Sequence, residues 1–303
     1  MADIIGCMAM SHAPQLLTPS DKWSDLPARA KGPFNPKPGI EAELTLENMR
    51  AYADRCNTAI GALRDRLKAW APDTIFITGD DQHENILDDN MPPFTMFIDE
   101  EVNATRKYRY FGTSAGDQIT RYKVNAPLAN ELLEGLMDRG FDPSWSRETR
   151  YEGGLGHAFG RVLEFLTPDA DIPIVPLMVN TYYPPAPSAR RCIALGKALG
   201  EAISASSSAG RVAIIGSGGL SHTVIDEKLD QEFITALKTR DFDYMASMPN
   251  ETLVAGTSEI RNWIIAAAAA KAGGTMVDYV PCYRSPQGVG CAMGFAYWEN
   301  QAA

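Results

Sequence analysis

Four histidines carry most of the chemistry available to this sequence: His12, His83, His157 and His222. Three of them stand just beyond short apolar runs, His12 after IIGCMAM, His83 after TIFITGDD and His222 after RVAIIGSGGLS. Imidazole titrates near neutrality and ligates metals, so imidazoles brought together can move protons, bind a metal, or do both. Carboxylates stand close by in sequence. Asp80 and Asp81 directly follow the second run, next to Gln82 and His83. Glu259 opens a helical pattern beside Thr257 and Ser258, where the helix dipole keeps a carboxylate ionised and oriented. Taken singly, each histidine has a structural reading and Glu259 a purely dipolar one; it is the shared placement at strand ends that points to a site.

Familiar alternatives fail on spacing. GSGGLS (residues 216–221) holds only part of a dinucleotide-binding glycine pattern and lacks its helix-plus-acid continuation. Ser221 beside His222 is not a nucleophile elbow, because no GxSxG occurs. His83-Glu84 does not open a zinc-protease HExxH, since Leu87 stands at the second histidine position.

The elements that must position these groups alternate between strand and helix. Strands are predicted at Ile4–Met10, Thr74–Thr78, Ile172–Val179 and Arg211–Ile215, with closing strands at Thr275–Pro281 and Ala292–Trp298. Pro173 and Pro176 assign the third of these to an edge or irregular position. Apolar residues at Met49, Tyr52, Cys56, Ile60, Leu63, Leu67 and Trp70 form one helical face closed by Pro72. Further helices are predicted at Leu128–Arg139, opened by Pro127, at about Ser188–Ser204 with a Ser/Ala-rich tail read as a surface linker, and at Glu259–Ala272. The fold class is α/β: a single domain with a central mixed β-sheet flanked by helices on both faces.

Composition narrows the partners. The 303 residues are 45% hydrophobic, enough for a sizeable core, and the net charge of −10 without basic runs argues against nucleic acid and anionic membranes. Five widely spaced cysteines without a CxxC pair fit neither a disulfide framework nor a thiolate zinc site, so a reduced cytoplasm is expected. The N-terminus lacks the pattern of a secretory leader, and Trp263–Ala270 is too short to span a bilayer.

In the segments MSHAP, PDTIFITGDDQHENILDDNMPPF, GHAFGRVLEFL, IPIVPLMVN, RVAIIGSGGLSH and TSEIRNWIIA, taken in order, the chain resembles the class III extradiol ring-cleavage dioxygenases over nearly its whole length. The resemblance implies Fe(II) as cofactor, with His12 and Glu259 as ligands, His222 as catalytic acid/base and His157 as a second active-site histidine near substrate and oxygen. It also departs from the family. An ungapped match from PD to MPPF puts Gln82 where the family has its second iron histidine, with His83 one residue late. Neighbouring residues at a strand end point to opposite sides, so His83 ligates after a loop adjustment, or Gln82 ligates through its amide oxygen, or the metal is held weakly; His83 is the favoured choice. Residues 18–45 form a second departure, an insertion expected to cover the site or make a subunit contact.

The implied reaction is cleavage of a catechol-type or related ortho-hydroxylated aromatic by dioxygen to a ring-opened semialdehyde-type product, in a homo-oligomer. Asn180, Tyr182 and Tyr183 are candidates to line the substrate pocket, and Tyr283 and Arg284 to meet a substrate carboxylate. Two alternatives stay open. One is a zinc-dependent hydrolase or lyase on the same scaffold; the other is a non-catalytic binding scaffold with a degraded metal site.

Overall fold

The computed structural model describes residues 1–27, 36–107 and 119–300. Its strands are β1 (Asp3–Met10), β2 (Thr74–Asp80), β3 (Phe94–Phe97), β4 (Glu101–Thr105), β5 (Ile119–Lys123), β6 (Ser144–Ser146), β7 (Ile174–Val179), β8 (Arg211–Ser217), β9 (His222–Val224), β10 (Thr275–Tyr283) and β11 (Val289–Glu299). The helices are α1 (Ile40–Glu43), α2 (Leu46–Trp70), α3 (Ala126–Met137), α4 (His157–Leu166), α5 (Ala189–Ala205), α6 (Glu227–Thr239), α7 (Phe242–Ser247) and α8 (Ile260–Ala269), with 3₁₀ turns at Pro14–Leu17, Ser20–Asp25 and Ala255–Glu259.

Strands order as β10-β11-β1-β8-β2-β7-β3-β6, with β9 paired to β11; β4 and β5 form a separate pair. The central four, β1, β8, β2 and β7, are mutually parallel, whereas β11 and β3 flank them antiparallel. Strand alternation divides the apolar residues between two cores. Cys7, Ala9, Phe76, Leu177 and Ile214 face helices α3, α5, α6, α7 and α8. Met8, Met10, Ile75, Ile77 and Ile215 face α2 and α4. A sheet buried on both faces requires apolar side chains at both parities, and β2 is buried along its whole length. This is the expected α/β sheet flanked on both faces.

Local signals set the helix ends. The side chains of Thr45, Asn125, Ser188 and Asp226 each accept an N–H of the first turn of α2, α3, α5 and α6. In α2 the buried residues are Met49, Cys56, Ala59, Ile60, Leu63 and Leu67, close to the predicted stripe.

Three expectations need correction. β7 is an internal strand between β2 and β3, not an edge. Its prolines are tolerated because Pro173 precedes it and the antiparallel ladder with β3 ends at Leu177, before Pro176. The Ser-rich tail after α5 is no loose linker: Ser206, Ser207 and Ser208 all donate to the Glu131 carboxylate. Glu259 ends a 3₁₀ turn and caps α8 instead of standing within the helix. Of the 18–45 insertion, the described part winds as the turn at Ser20–Asp25 and α1; residues 28–35 lie outside the described residues.

Candidate active site at the strand ends

Because β1, β8, β2 and β7 run parallel, their C-terminal ends share one edge: Met10 pairs with Ser217, Thr78 with Gly216 and Asp80 with Val179. That edge is where α/β sheets present ligand-binding groups. His12 lies two residues past β1, Asp80 ends β2, and Ser217 ends β8. A cavity of about 110 Å³ opens there, lined by His12, Gln15, Pro27, Gln82, His157, Arg161, Tyr182, His222, Glu259, Arg284 and Cys291 among others.

His12 is buried, with Nδ1 2.9 Å from Ser217 Oγ. Because the Ser217 hydroxyl donates to the Ala158 carbonyl, its oxygen accepts from His12, which puts the His12 proton on Nδ1. Its Nε2 lies 3.5 Å from Glu259 Oε2 and 3.8 Å from Asp80 Oδ1. The Arg161 guanidinium, itself buried, donates to the His12 carbonyl and fixes the backbone.

His222 spans the other side of Glu259. Its Nδ1 donates to the Leu220 carbonyl at 2.9 Å, and Nε2 lies 3.1 Å from Glu259 Oε1. Burial disfavours its cation, but the charge and hydrogen bond of Glu259 prevail and raise its pKa above the usual imidazole value. Burial likewise opposes the Glu259 anion, yet His222 and His12 hold that carboxyl well below its usual range. The ring has room only because residue 256 is glycine: a Cβ there would overlap it. Gly219 N–H donates to Glu259 Oε2 and completes the carboxylate's setting.

His157 begins α4. Its Nδ1 and backbone N–H both meet the buried Glu84 carboxylate, at 3.0 and 3.2 Å. Glu84 thus caps the helix and orients the ring, whose centroid stands 5.1 Å from that of His12 in an edge-to-face contact. Burial, Arg161 and His12 push the His157 pKa well down, so the imidazole is neutral with Nδ1 as its donor.

His83 is the sequence candidate that the fold does not bring to the cluster. It adopts a left-handed backbone (φ 58°), stacks on Tyr183 at 3.7 Å and pairs with Asp88 at 2.9 Å, outside the cavity lining. Gln82 faces the cavity instead. Among the substrate candidates, Tyr182 lines the cavity; Asn180 braces its own loop by bonding both backbone groups of Tyr183. Arg284 lines the mouth while donating to the Leu26 and Pro27 carbonyls, and Tyr283 turns away to Glu227. Sequence reading missed Ser217, Glu84, Arg161 and Gln15; only Glu84, two residues past Gln82, offered a local clue.

The donor set suits a dication. His12, Asp80 and His157 offer buried ligand atoms all within 4.8 Å of one another, and Asp80 Oδ1 has no hydrogen-bond partner among the described residues. An imidazole nitrogen facing two buried carboxylates is an arrangement that a bound cation satisfies.

Imidazoles and carboxylates gathered beyond parallel strand ends, around a partly open cavity, form a pocket whose groups can bind a metal and move protons. The chain belongs to the LigB family, described as the catalytic LigB subunit of aromatic ring-opening dioxygenase, whose family model matches residues 42–293. It is 30% identical over 174 residues to a 2,3-dihydroxyphenylpropionate/2,3-dihydroxicinnamic acid 1,2-dioxygenase of Klebsiella pneumoniae subsp. pneumoniae, covering 57% of this chain and 51% of that protein. It is 31% identical over 170 residues to the Escherichia coli enzyme of the same name, covering 56% and 49%. The chain therefore spans about half the length of the curated relatives it matches. A crystal structure of an uncharacterized Escherichia coli K12 protein overlaps 97% of this chain and 99% of its own, with TM-score 0.49 and 13% identity. No described helix is long and apolar enough to cross a membrane.

Proposed function

We propose that this protein is a non-haem iron(II) extradiol dioxygenase, which opens a catechol-type or related ortho-hydroxylated aromatic ring with dioxygen to give a semialdehyde-type product. The observation that carries this reading is the convergence of His12, Glu259, His222 and His157 on one cavity in a LigB-family chain. The names of the relatives, which specify catechol-type substrates, support it.

His12 and Glu259 would hold the iron, with a third donor from the end of β2. Iron held there would supply Lewis acidity and a redox route between ring and dioxygen. The remaining work belongs to protein side chains. His222 Nε2, aimed by the Nδ1–H bond to Leu220, takes the proton of a ring hydroxyl and later returns it. His157, locked in one tautomer by Glu84, keeps its other nitrogen for substrate or oxygen. Tyr182 contacts the ring face or a substituent, and Arg284 attracts a substrate carboxylate at the mouth. Five free, buried thiols support a reducing, cytoplasmic setting.

Anaerobic loading with Fe(II) followed by oxygen uptake on a panel of catechols and aminophenols tests the reading. Uptake with at least one diphenol is expected; none across the panel, with iron bound, sinks it. His222→Phe is expected to abolish uptake while the iron content stays at the wild-type level.

A further inference from the structure

We infer that Asp80 supplies the third protein ligand of the metal centre, and that Gln82 is the amide clamp that aims Asp80 and Glu259 at His12. The inference rests on the metal-dependent reading above and deepens it at residues 80–83, where the chain departs from the family's second iron histidine.

Asp80 is 1% exposed, and its Oδ1 lies 3.8 Å from His12 Nε2 with no hydrogen-bond partner among the described residues. A buried carboxylate oxygen without a donor is costly. A cation between it and the His12 nitrogen relieves that cost. Two ligand atoms each about 2.1 Å from a shared ion stand about 3.0 Å apart at a right angle and about 3.6 Å apart at 120°. Of the separations from His12 Nε2, 3.5 Å to Glu259 lies at the open end of that range and 3.8 Å to Asp80 slightly beyond it.

Gln82 is placed for a different task. Its Nε2 donates to Asp80 Oδ2 at 2.9 Å and reaches Glu259 Oε1 at 3.5 Å. The amide thus turns its NH₂ group to both carboxyl groups, and that group has no lone pair for a metal. By engaging the outer oxygen of each carboxylate, the amide leaves Asp80 Oδ1 and Glu259 Oε2 turned to His12. His83, stacked on Tyr183 and paired with Asp88, stands apart from this arrangement.

The ligand set becomes one imidazole and two carboxylates. Its two negative charges balance a dication without help from substrate, and its oxygen-rich character favours harder ions such as Mn(II) and Fe(II).

The test is anaerobic titration of the metal-free full-length chain with Mn(II), without substrate, read by electron paramagnetic resonance and pulsed nitrogen couplings. One bound Mn(II) with a single directly coordinated imidazole is expected. Asp80→Asn should weaken binding about 100-fold, Gln82→Ala about 10-fold, and His83→Ala within twofold of wild type. Metal-free Asp80→Asn should melt at or above the wild-type temperature, because a buried like-charge contact is removed. If that variant does not fold, the nitrogen count on the wild type decides alone. Two coordinated imidazoles, no bound Mn(II), near-wild-type affinity of Asp80→Asn, or a larger loss from Gln82→Ala than from Asp80→Asn each overturns the assignment. Oxygen uptake plays no part in this readout. A one-nitrogen, Asp80-dependent site without catechol oxidation would remove the dioxygenase reading and keep this one; uptake with two imidazoles would do the reverse.

Discussion

Glu84 serves two groups with one carboxylate: it closes the N-terminus of α4 and orients His157 through Nδ1. Glu84→Gln keeps the size but removes the charge. Loss of the anion at the helix end should lower stability by about 1 kcal/mol in urea unfolding. Loss of the fixed tautomer should lower kcat about 10-fold with little change in KM, if His157 meets the reacting atoms. Unchanged kcat would reduce His157 to a packing residue. Ser217 plays the matching part for His12, and Ser217→Ala should weaken metal binding about 10-fold, measured by competition with a chelating dye. At this scale sequence reading reached His12, His222 and Glu259, because a strand end or helix start announces each of them. It favoured His83 over Gln82 because residue type outweighed direction, and the left-handed turn at His83 shows why direction decides. Asp80 already stood among the carboxylate candidates, whereas Ser217 became legible as a partner of His12 only when β1 and β8 were laid side by side.

The turns before α2 form the wall of the cavity through few but specific ties. Gln15 donates to the Cys282 carbonyl, and buried Trp23 donates its indole N–H to Gln15 and Thr18. Arg284 then holds Leu26 and Pro27 from the opposite side. Trp23→Ala should cost about 3 kcal/mol and expose residues 18–27 to early cleavage in limited proteolysis. Resistance equal to the wild type would show that the wall stands without its indole. The long helices and buried strands were readable because their apolar period is intact over many residues. β3 and β6, only four and three residues long, were not, since pairing with β7 and with each other stabilises what their own sequences do not. The prolines of β7 misled for a related reason: their cost depends on where the neighbouring ladder stops.

Across the whole molecule, the sheet ties the site to buried charges some distance from it. Asp230 is fully buried beneath Ser221, accepting from its N–H and hydroxyl and from the Tyr279 hydroxyl, and burial pushes its pKa up to about 6. The folded chain therefore binds this proton near pH 6, whereas the unfolded chain binds it only near pH 4. The contribution of Asp230 to stability is fullest below pH 4, declines as pH rises between these values, and is lost above pH 6. The change amounts to about 3 kcal/mol. Asp230→Asn should flatten this slope, so that wild type loses about that much relative to the variant between pH 4 and 6.5, as read from urea midpoints. Parallel midpoints at the two pH values would refute the assignment. The α/β class was legible at this scale from alternating strand and helix patterns. β10 and β11 were legible as closing strands of a mixed sheet, whereas β3 and the order of the strands were not, because pairing between strands distant in sequence leaves no local mark.

The alternation of side chains beyond β2 bears on how such a centre can change over generations. Asp80 ends β2, and in the bend beyond it Gln82 faces the cavity while the left-handed backbone at His83 turns that ring to Tyr183. A donor lost at 82 can thus be replaced from 80, two residues back, by altering single codons while the sheet and the cavity wall stay as they are. The strand end behaves as a short keyboard on which ligand identity can be transposed. With Asp80 as the proposed ligand, such a strand end can exchange imidazole for carboxylate, and with it one metal preference for another, while β2 keeps its pairing with β7 and β8.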